Sequence, residues 1–184
     1  MVSKFEGEAD PMEALKKKVR HIPDFPKPGI LFYDVTTLLR DPEGFSDAIA
    51  AMAAPYEKGS IDLIAGIESR GFILGAAMAD RLDAGFVPIR KKGKLPGSTL
   101  RESYALEYGT DSLEVHEDAI QPGQRVLVVD DLLATGGTAE AVLKLMRRVG
   151  ADVRGLAFLV ELDFLKGRDR LAGEQVHVVL NYAE

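Results

Sequence analysis

The sequence predicts an α/β fold whose central, mostly parallel sheet is flanked by helices, and two features carry that expectation. Short apolar runs at Ile61 to Ile67, Phe86 to Ile89, Val126 to Val129 and Leu156 to Val160 are separated mostly by helix-like stretches, the pattern of strands buried on both faces. After the third run the chain passes through Asp130-Asp131 and Gly136-Gly137 into a segment that sets Ala141, Val142, Leu145, Met146 and Val149 on one helical face, as expected of a helix packed on a sheet. With 184 residues and 46% apolar content, one domain spanning residues 1–184 is expected.

Asp10-Pro11-Met12-Glu13 opens a first helix, with Asp as N-cap, Pro at the first helical position and Glu placed to complete a capping box. Met12, Leu15, Val19 and Ile22 form its apolar stripe. From Ile22 to Asp34, Pro23, Pro26 and Pro28 exclude regular helix and hold the backbone extended, so approximately residues 21–40 form a semi-rigid hood. A second helix begins at Asp41-Pro42 and buries Phe45, Ile49 and Met52. The α/β rhythm breaks over approximately residues 90–116. There Lys91 to Gly97 is a polar loop, and Tyr104 to Tyr108 pairs with Leu113 to Val115 as a hairpin through Gly109 to Asp111. A long arm inserted into an α/β core is usually functional or mobile. Gly150 is placed to end the helix that contains Val149.

Composition narrows the function classes. The net charge of −6, with no long basic stripe, argues against nucleic acid as a partner. The absence of cysteine excludes disulfides, thiolate metal sites and thiol catalysis. Residues 1–20 are too charged for a signal peptide, and no apolar run approaches the ~20 residues that span a bilayer. No membrane partner and a cytoplasmic location are therefore expected.

Ligands of parallel α/β sheets bind beyond the carboxyl ends of the strands. Asp130 and Asp131 fall at such an end, followed by Leu132, Leu133, Ala134, Thr135, Gly136, Gly137 and Thr138 before a helix. Glycine lets backbone amides approach an anion, the helix dipole favours negative charge, and the threonine hydroxyls add donors, so a phosphate monoester fits. The preceding carboxylates suit the vicinal hydroxyls of a sugar. The spacing is not Gly-x-x-x-x-Gly-Lys-Ser/Thr, which argues against a P-loop ATPase. A receiver domain also carries Val-Val-Asp-Asp but on its first strand; here the acids arrive at residue 130, leaving too little chain for the rest of that fold.

The string Val126 to Thr138 resembles the phosphoribosyl diphosphate signature of the type I phosphoribosyltransferases: an apolar strand, two acids, a short spacer, then Thr-Gly-Gly-Thr. Three further stretches resemble the adenine-using branch of that family. Phe25 to Phe32 is similar to its N-terminal hood, Ser69-Arg70-Gly71-Phe72 to its diphosphate-contacting loop, and Ile89 to Gly97 with Tyr104 to Gly109 to its flexible catalytic arm. The resemblance implies the type I phosphoribosyltransferase fold with an N-terminal hood and a flexible catalytic arm. It also implies a purine salvage enzyme that transfers the 5-phosphoribosyl group from 5-phospho-α-D-ribose 1-diphosphate to adenine, forming AMP and diphosphate.

The resemblance also implies a set of site residues. Phosphoribosyl diphosphate would contact Asp130, Asp131, Ala134, Thr135, Gly136, Gly137, Thr138, Arg70, Lys91 and Lys94. In hypoxanthine-guanine members an aspartate precedes the signature threonine. Ala134 stands there in this chain, and the resemblance moves proton handling to Glu107 on the arm. Arg70, on a strand-end loop, is the expected catalytic cation for the leaving diphosphate. Adenine would meet Leu31, Phe32 and Tyr33, chiefly through backbone groups, since many members carry arginine where this chain has Tyr33. Mg²⁺ is the expected cofactor, bound mainly through the substrate and with no protein ligand assigned. The arm, with Gly93, Gly97 and Gly109 as flexible points, would close to keep water from an oxocarbenium-like transition state. A homodimer is the expected assembly. Orotate or xanthine is the alternative acceptor within the family. A purine-responsive regulator would need a DNA-binding helix-turn-helix or a basic RNA surface, and the sequence displays neither.

Overall fold

A computed structural model describes residues 10–105 and 110–183. Contacts divide the chain into two compact units, one running to Ala48 and the other starting at Ile49.

In the first unit, α1 (Pro11–Lys16) starts as expected, with the Asp10 carboxylate accepting from the Met12 N–H at 3.0 Å. Glu13 pairs with Lys16. The helix is shorter than its apolar stripe: Val19 lies beyond it and Ile22 belongs to a strand. Strands β1 (Arg20–Ile22) and β2 (Phe32–Asp34) form an antiparallel ribbon in which Arg20 faces Asp34. Between them the proline-rich segment is a closed loop rather than an extended flap. The Phe25 N–H donates to the Ile30 carbonyl at 3.2 Å, and the Gly29 N–H to the Asp24 carboxylate at 2.7 Å. Prolines remove donors and fix φ, but the intervening Asp and Gly close a turn all the same. Burial alone would raise the Asp34 pKa; hydrogen bonds from Arg20 and Thr36 outweigh it and hold the carboxyl at about 2. The short α2 (Thr36–Arg40) follows, and α3 (Pro42–Ala53) leads into the second unit with Ile49 and Met52 buried and Phe45 only partly so.

The second unit is built on a seven-stranded sheet with strand order β5-β6-β4-β3-β7-β8-β9. Its strands are β3 (Leu63–Ile67), β4 (Gly85–Lys91), β5 (Thr99–Ala105), β6 (Thr110–His116), β7 (Arg125–Leu133), β8 (Asp152–Leu162) and β9 (Val176–Tyr182). From β4 to β9 neighbouring strands are parallel; β6 joins β4 antiparallel, and β5 pairs with β6. All four apolar runs are strands, with Ile64, Ile89, Val128 and Phe158 at most 1% exposed. Helices α4 (Arg70–Leu82) and α5 (Gly137–Arg148) follow β3 and β7. The anticipated face of α5 is buried, and Gly150, at φ +76°, ends that segment.

Three details depart from expectation. β7 continues through the acid pair to Leu133, because β8 remains paired with it as far as Leu133 opposite Glu161. On the other side β3 leaves at Val129, so the acid pair overhangs an open edge. The arm hairpin is longer than its apolar residues suggest, running from Thr99 opposite His116 to Ala105 opposite Thr110, and its connection lies outside the described residues. Thr110 and Asp111 are therefore strand, not turn. The last strand, β9, is not among the expected runs; its apolar stretch is broken by His177 and mostly half-buried.

Candidate active site

The links β3 to α4, β4 to β5 and β7 to α5 all leave the carboxyl edge of the parallel strands, where ligands of such sheets bind. Residues 68–69 connect β3 to α4 across a cis Glu68–Ser69 peptide bond. One pocket gathers Glu68, Ser69 and Arg70 from that link, Lys91 and Lys94 from the root of the arm, and Asp130 and Asp131 from β7. Asp130 is also a wall of a second pocket formed by the loop from Leu132 to Thr138 with Ala139 and Phe158. The structure thus brings the acid pair, the expected cations and the Thr-Gly-Gly-Thr loop to one place.

Every cation in the first pocket is matched by a carboxylate. Arg70, the first residue of α4, donates its Nε to Asp131 Oδ2 at 2.5 Å. Lys91 Nζ lies 3.1 Å from Asp111 Oδ2, and Lys94 Nζ 3.2 Å from Glu68 Oε1. Glu68 also accepts from Arg90 Nε and from the Lys91 N–H, each at 3.1 Å. Burial would raise the Glu68 pKa, but these donors outweigh it and the carboxyl sits below its usual range. Asp130 behaves oppositely. Burial, then the neighbouring Asp131 carboxylate, push it well above the usual range, although the Asp131 N–H at 2.8 Å and the charge of Arg70 pull it down. The shift runs toward the neutral form, in which a carboxyl can both donate to and accept from a hydroxyl.

Gly136 caps α5 in the left-handed region, at φ +80°, without a side-chain cap, and glycine alone holds that conformation at little cost. The first helical bond of α5 runs from the Glu140 N–H to the Gly136 carbonyl at 2.9 Å. The preceding amides, of Gly137, Thr138 and Ala139, have no partner within the helix and are left for an anion. Thr135 is exposed and Thr138 partly so. Tyr104 on β5 reaches this loop: its hydroxyl hydrogen-bonds Thr138 and lies 3.5 Å from Asp111, and burial raises its pKa. The hairpin is further tied to α5 by Arg148, which donates to the Arg101 carbonyl at 2.6 Å and pairs with Glu102.

The other expected residues fall elsewhere in the description of the chain. Glu107 lies outside the described residues. Leu31, Phe32 and Tyr33 belong to the first unit, where the Phe32 ring meets Phe25 edge-on at 5.2 Å and the buried Tyr33 ring meets His21 at 4.9 Å. Among the described residues no cluster of three or more His, Cys, Asp or Glu side chains could hold a metal ion.

Sequence reasoning missed Glu68, Asp111 and Gly71. Glu68 had a signal, since it directly precedes Ser69-Arg70-Gly71-Phe72. Gly71 lies within that stretch, but its packing role had no signal: a side chain there would lie 2.8 Å from Asp130 Oδ1 and 2.9 Å from the Val129 carbonyl, a closeness created only when α4 packs against β7.

A parallel sheet with an acid pair on one strand, cations beside that pair and a glycine loop after it suits a phosphorylated sugar, and residues 34–178 match the phosphoribosyl transferase domain. The chain belongs to the phosphoribosyltransferases, and within them to the adenine phosphoribosyltransferases. It is 62% identical over 172 residues to the adenine phosphoribosyltransferase of Acidobacterium capsulatum, covering 94% of this chain and 95% of that one. Among solved structures, the adenine phosphoribosyltransferase of Rhodothermus marinus matches with a TM-score of 0.89 at 57% identity, covering 94% of this chain and 98% of that one. The Saccharomyces cerevisiae enzyme, complexed with an iminoaltritol bisphosphate and adenine, matches with a TM-score of 0.87 at 40% identity over 92% of this chain and 98% of that one.

Proposed function

We propose that this chain transfers the 5-phosphoribosyl group of 5-phospho-α-D-ribose 1-diphosphate to adenine, releasing AMP and diphosphate in purine salvage. The observation that carries the reading is the loop from Ala134 to Thr138, whose free amides open α5 beside Asp130 and Asp131. The loop holds the 5-phosphate, and the acid pair holds the ribose hydroxyls. Diphosphate occupies the adjoining pocket, where Arg70, Lys91 and Lys94 exchange their carboxylate partners for substrate oxygens. Mg²⁺, carried by phosphoribosyl diphosphate, would supply charge neutralisation for the leaving group. Asp130 and Asp131 would lie beside the ion, with substrate oxygens and water completing its shell.

Adenine attacks the anomeric carbon as the bond to diphosphate breaks. Arg70, turned from Asp131 to the diphosphate, meets the charge that develops on the departing oxygens. Ala134 carries no carboxylate, so the proton lost from adenine is taken by Glu107 on the arm. The base is read by main-chain groups near Leu31 and Tyr33 and packed by Phe32. The yeast relative's complex with adenine supports that acceptor. Arm closure over the ribosyl cation keeps water out. The working assembly is a cytoplasmic homodimer.

The test is diphosphate release with a panel of bases, phosphoribosyl diphosphate and Mg²⁺. Adenine should be the preferred acceptor, and chelating Mg²⁺ should stop turnover. Faster release with hypoxanthine or orotate would overturn the specificity. Glu107→Gln should lower kcat about 10²-fold, as loss of a general base does, with phosphoribosyl diphosphate binding retained; an unchanged kcat would assign the proton elsewhere.

A further inference from the structure

The turn after β8 takes no part in the chemistry above, yet its backbone is wedged against the phosphate loop. A methyl group on Gly136 would lie 2.4 Å from the Gly167 carbonyl oxygen. One on Gly167 would lie 2.3 Å from the Ala134 carbonyl oxygen and 3.1 Å from the Gly136 nitrogen. The two main chains touch with no room for a side chain on either, and backbone, unlike a flexible side chain, cannot swing aside. The turn is itself held at both ends. Arg168 Nε donates to Glu161 Oε1 at 2.9 Å and Oε2 at 2.8 Å, the Glu161 side chain being only 3% exposed. Arg168 Nη1 also donates to the Val176 carbonyl at 3.2 Å, and Arg170 pairs with Glu140 in the first turn of α5 at 3.1 Å. One end of the turn is thereby tied to β8 and β9, the other to the helix that presents the loop amides.

We propose that Gly167 is a positioning residue for the phosphoribosyl substrate: its backbone is the backstop that sets where the loop from Ala134 to Thr138 stands, and so the affinity for the sugar's 5-phosphate. The inference rests on the reading that this loop holds the 5-phosphate. Donors arranged in advance act only when correctly placed, so a shift of the loop by a fraction of an ångström costs binding although no group that touches the ligand has changed. Gly167 begins a short 3-10 turn with φ outside the left-handed region, so alanine fits its backbone and adds only the steric contact. Gly136 does not allow that separation, because a side chain there also meets an unfavourable φ.

Gly167→Ala tests the idea. Its KM for phosphoribosyl diphosphate and its dissociation constant for AMP should rise roughly tenfold or more, with KM for adenine changed less than about twofold, the pattern of a misplaced binding group. Gly173→Ala is the control: φ is +91° there and a side chain meets open space, so it strains the same region without touching the loop. A folded Gly167→Ala with unchanged constants overturns the proposal. So does one whose two KM values rise together, in step with lost thermal stability, as in Gly173→Ala. Thr138→Val, which removes a hydroxyl from the loop, tells the two failures apart. If it weakens AMP while Gly167→Ala does not, the loop reading stands and the backstop falls. If neither weakens AMP, the loop reading falls. Should Gly167→Ala not fold, Arg168→Gln unties the turn without adding bulk and must move the same two constants in the same direction.

Discussion

Gly136→Val is expected to raise KM for phosphoribosyl diphosphate by at least about 10²-fold, more than any other single change in the phosphate loop. Two costs combine. A β-branched residue at φ +80° faces a left-handed backbone penalty of about 1–2 kcal/mol. Its Cβ would also fall 2.4 Å from the Gly167 carbonyl oxygen, so either the loop or the turn behind it must move. Together these amount to roughly 3–4 kcal/mol, which is a factor of about 10² to 10³ in affinity. Neighbouring Gly137 is the first residue of α5 and shows no left-handed φ, so valine there should do less. Initial rates against phosphoribosyl diphosphate at saturating adenine decide the matter. A Gly136→Val enzyme with near-normal KM would remove the 5-phosphate from this loop.

Arg70→Met should lower kcat about 10²- to 10³-fold, the range seen when one donor to a developing anionic charge is removed. The structure adds a second effect. Asp131 is 7% exposed and is paired with Arg70, so the variant leaves a buried carboxylate without its cation, and the melting temperature should fall as well. Arg70→Lys separates the two roles. It returns a charge without the planar fork, so it should restore most of the stability and only part of kcat. The catalytic role is refuted if Arg70→Met loses stability but keeps kcat in the remaining folded enzyme.

Much of the fold and of the site's chemistry is readable from the chain because it is local. Strand runs such as Val126 to Val129 announce themselves by composition, since burial on both faces selects β-branched and aliphatic residues over four or five consecutive positions. The face of α5 follows from helical periodicity. The acid pair and the glycine loop occupy nine consecutive residues, so their order alone places an anion site after a strand. The Asp10 cap is likewise a matter of two neighbouring residues. Where local signals mislead, a distant partner is the cause. The apolar stripe from Met12 to Ile22 has helical spacing, but Arg20–Ile22 pairs with Phe32–Asp34 and takes the second half into a strand. The prolines between them read as extended, yet hydrogen bonds to the Asp24 carboxylate and the Ile30 carbonyl fold the segment on itself. β9 is nearly invisible in sequence because an edge position leaves it half-buried and tolerates His177, whose ring nitrogen bonds the Ala51 carbonyl.

By itself, then, the sequence determined that the chain is an α/β protein carrying an acid pair and a phosphate loop, with Ala134 where a carboxylate could stand. These depend on the conformations and burial of adjacent residues, which composition and spacing encode. Only the tertiary structure decided which charge answers which. Arg70 meets Asp131 across 61 positions and Lys94 meets Glu68 across 26, while Gly167 comes to rest against Gly136 across 31. No local pattern specifies such pairs, because each exists only once several strands and helices have packed and fixed the distance between residues remote in the chain.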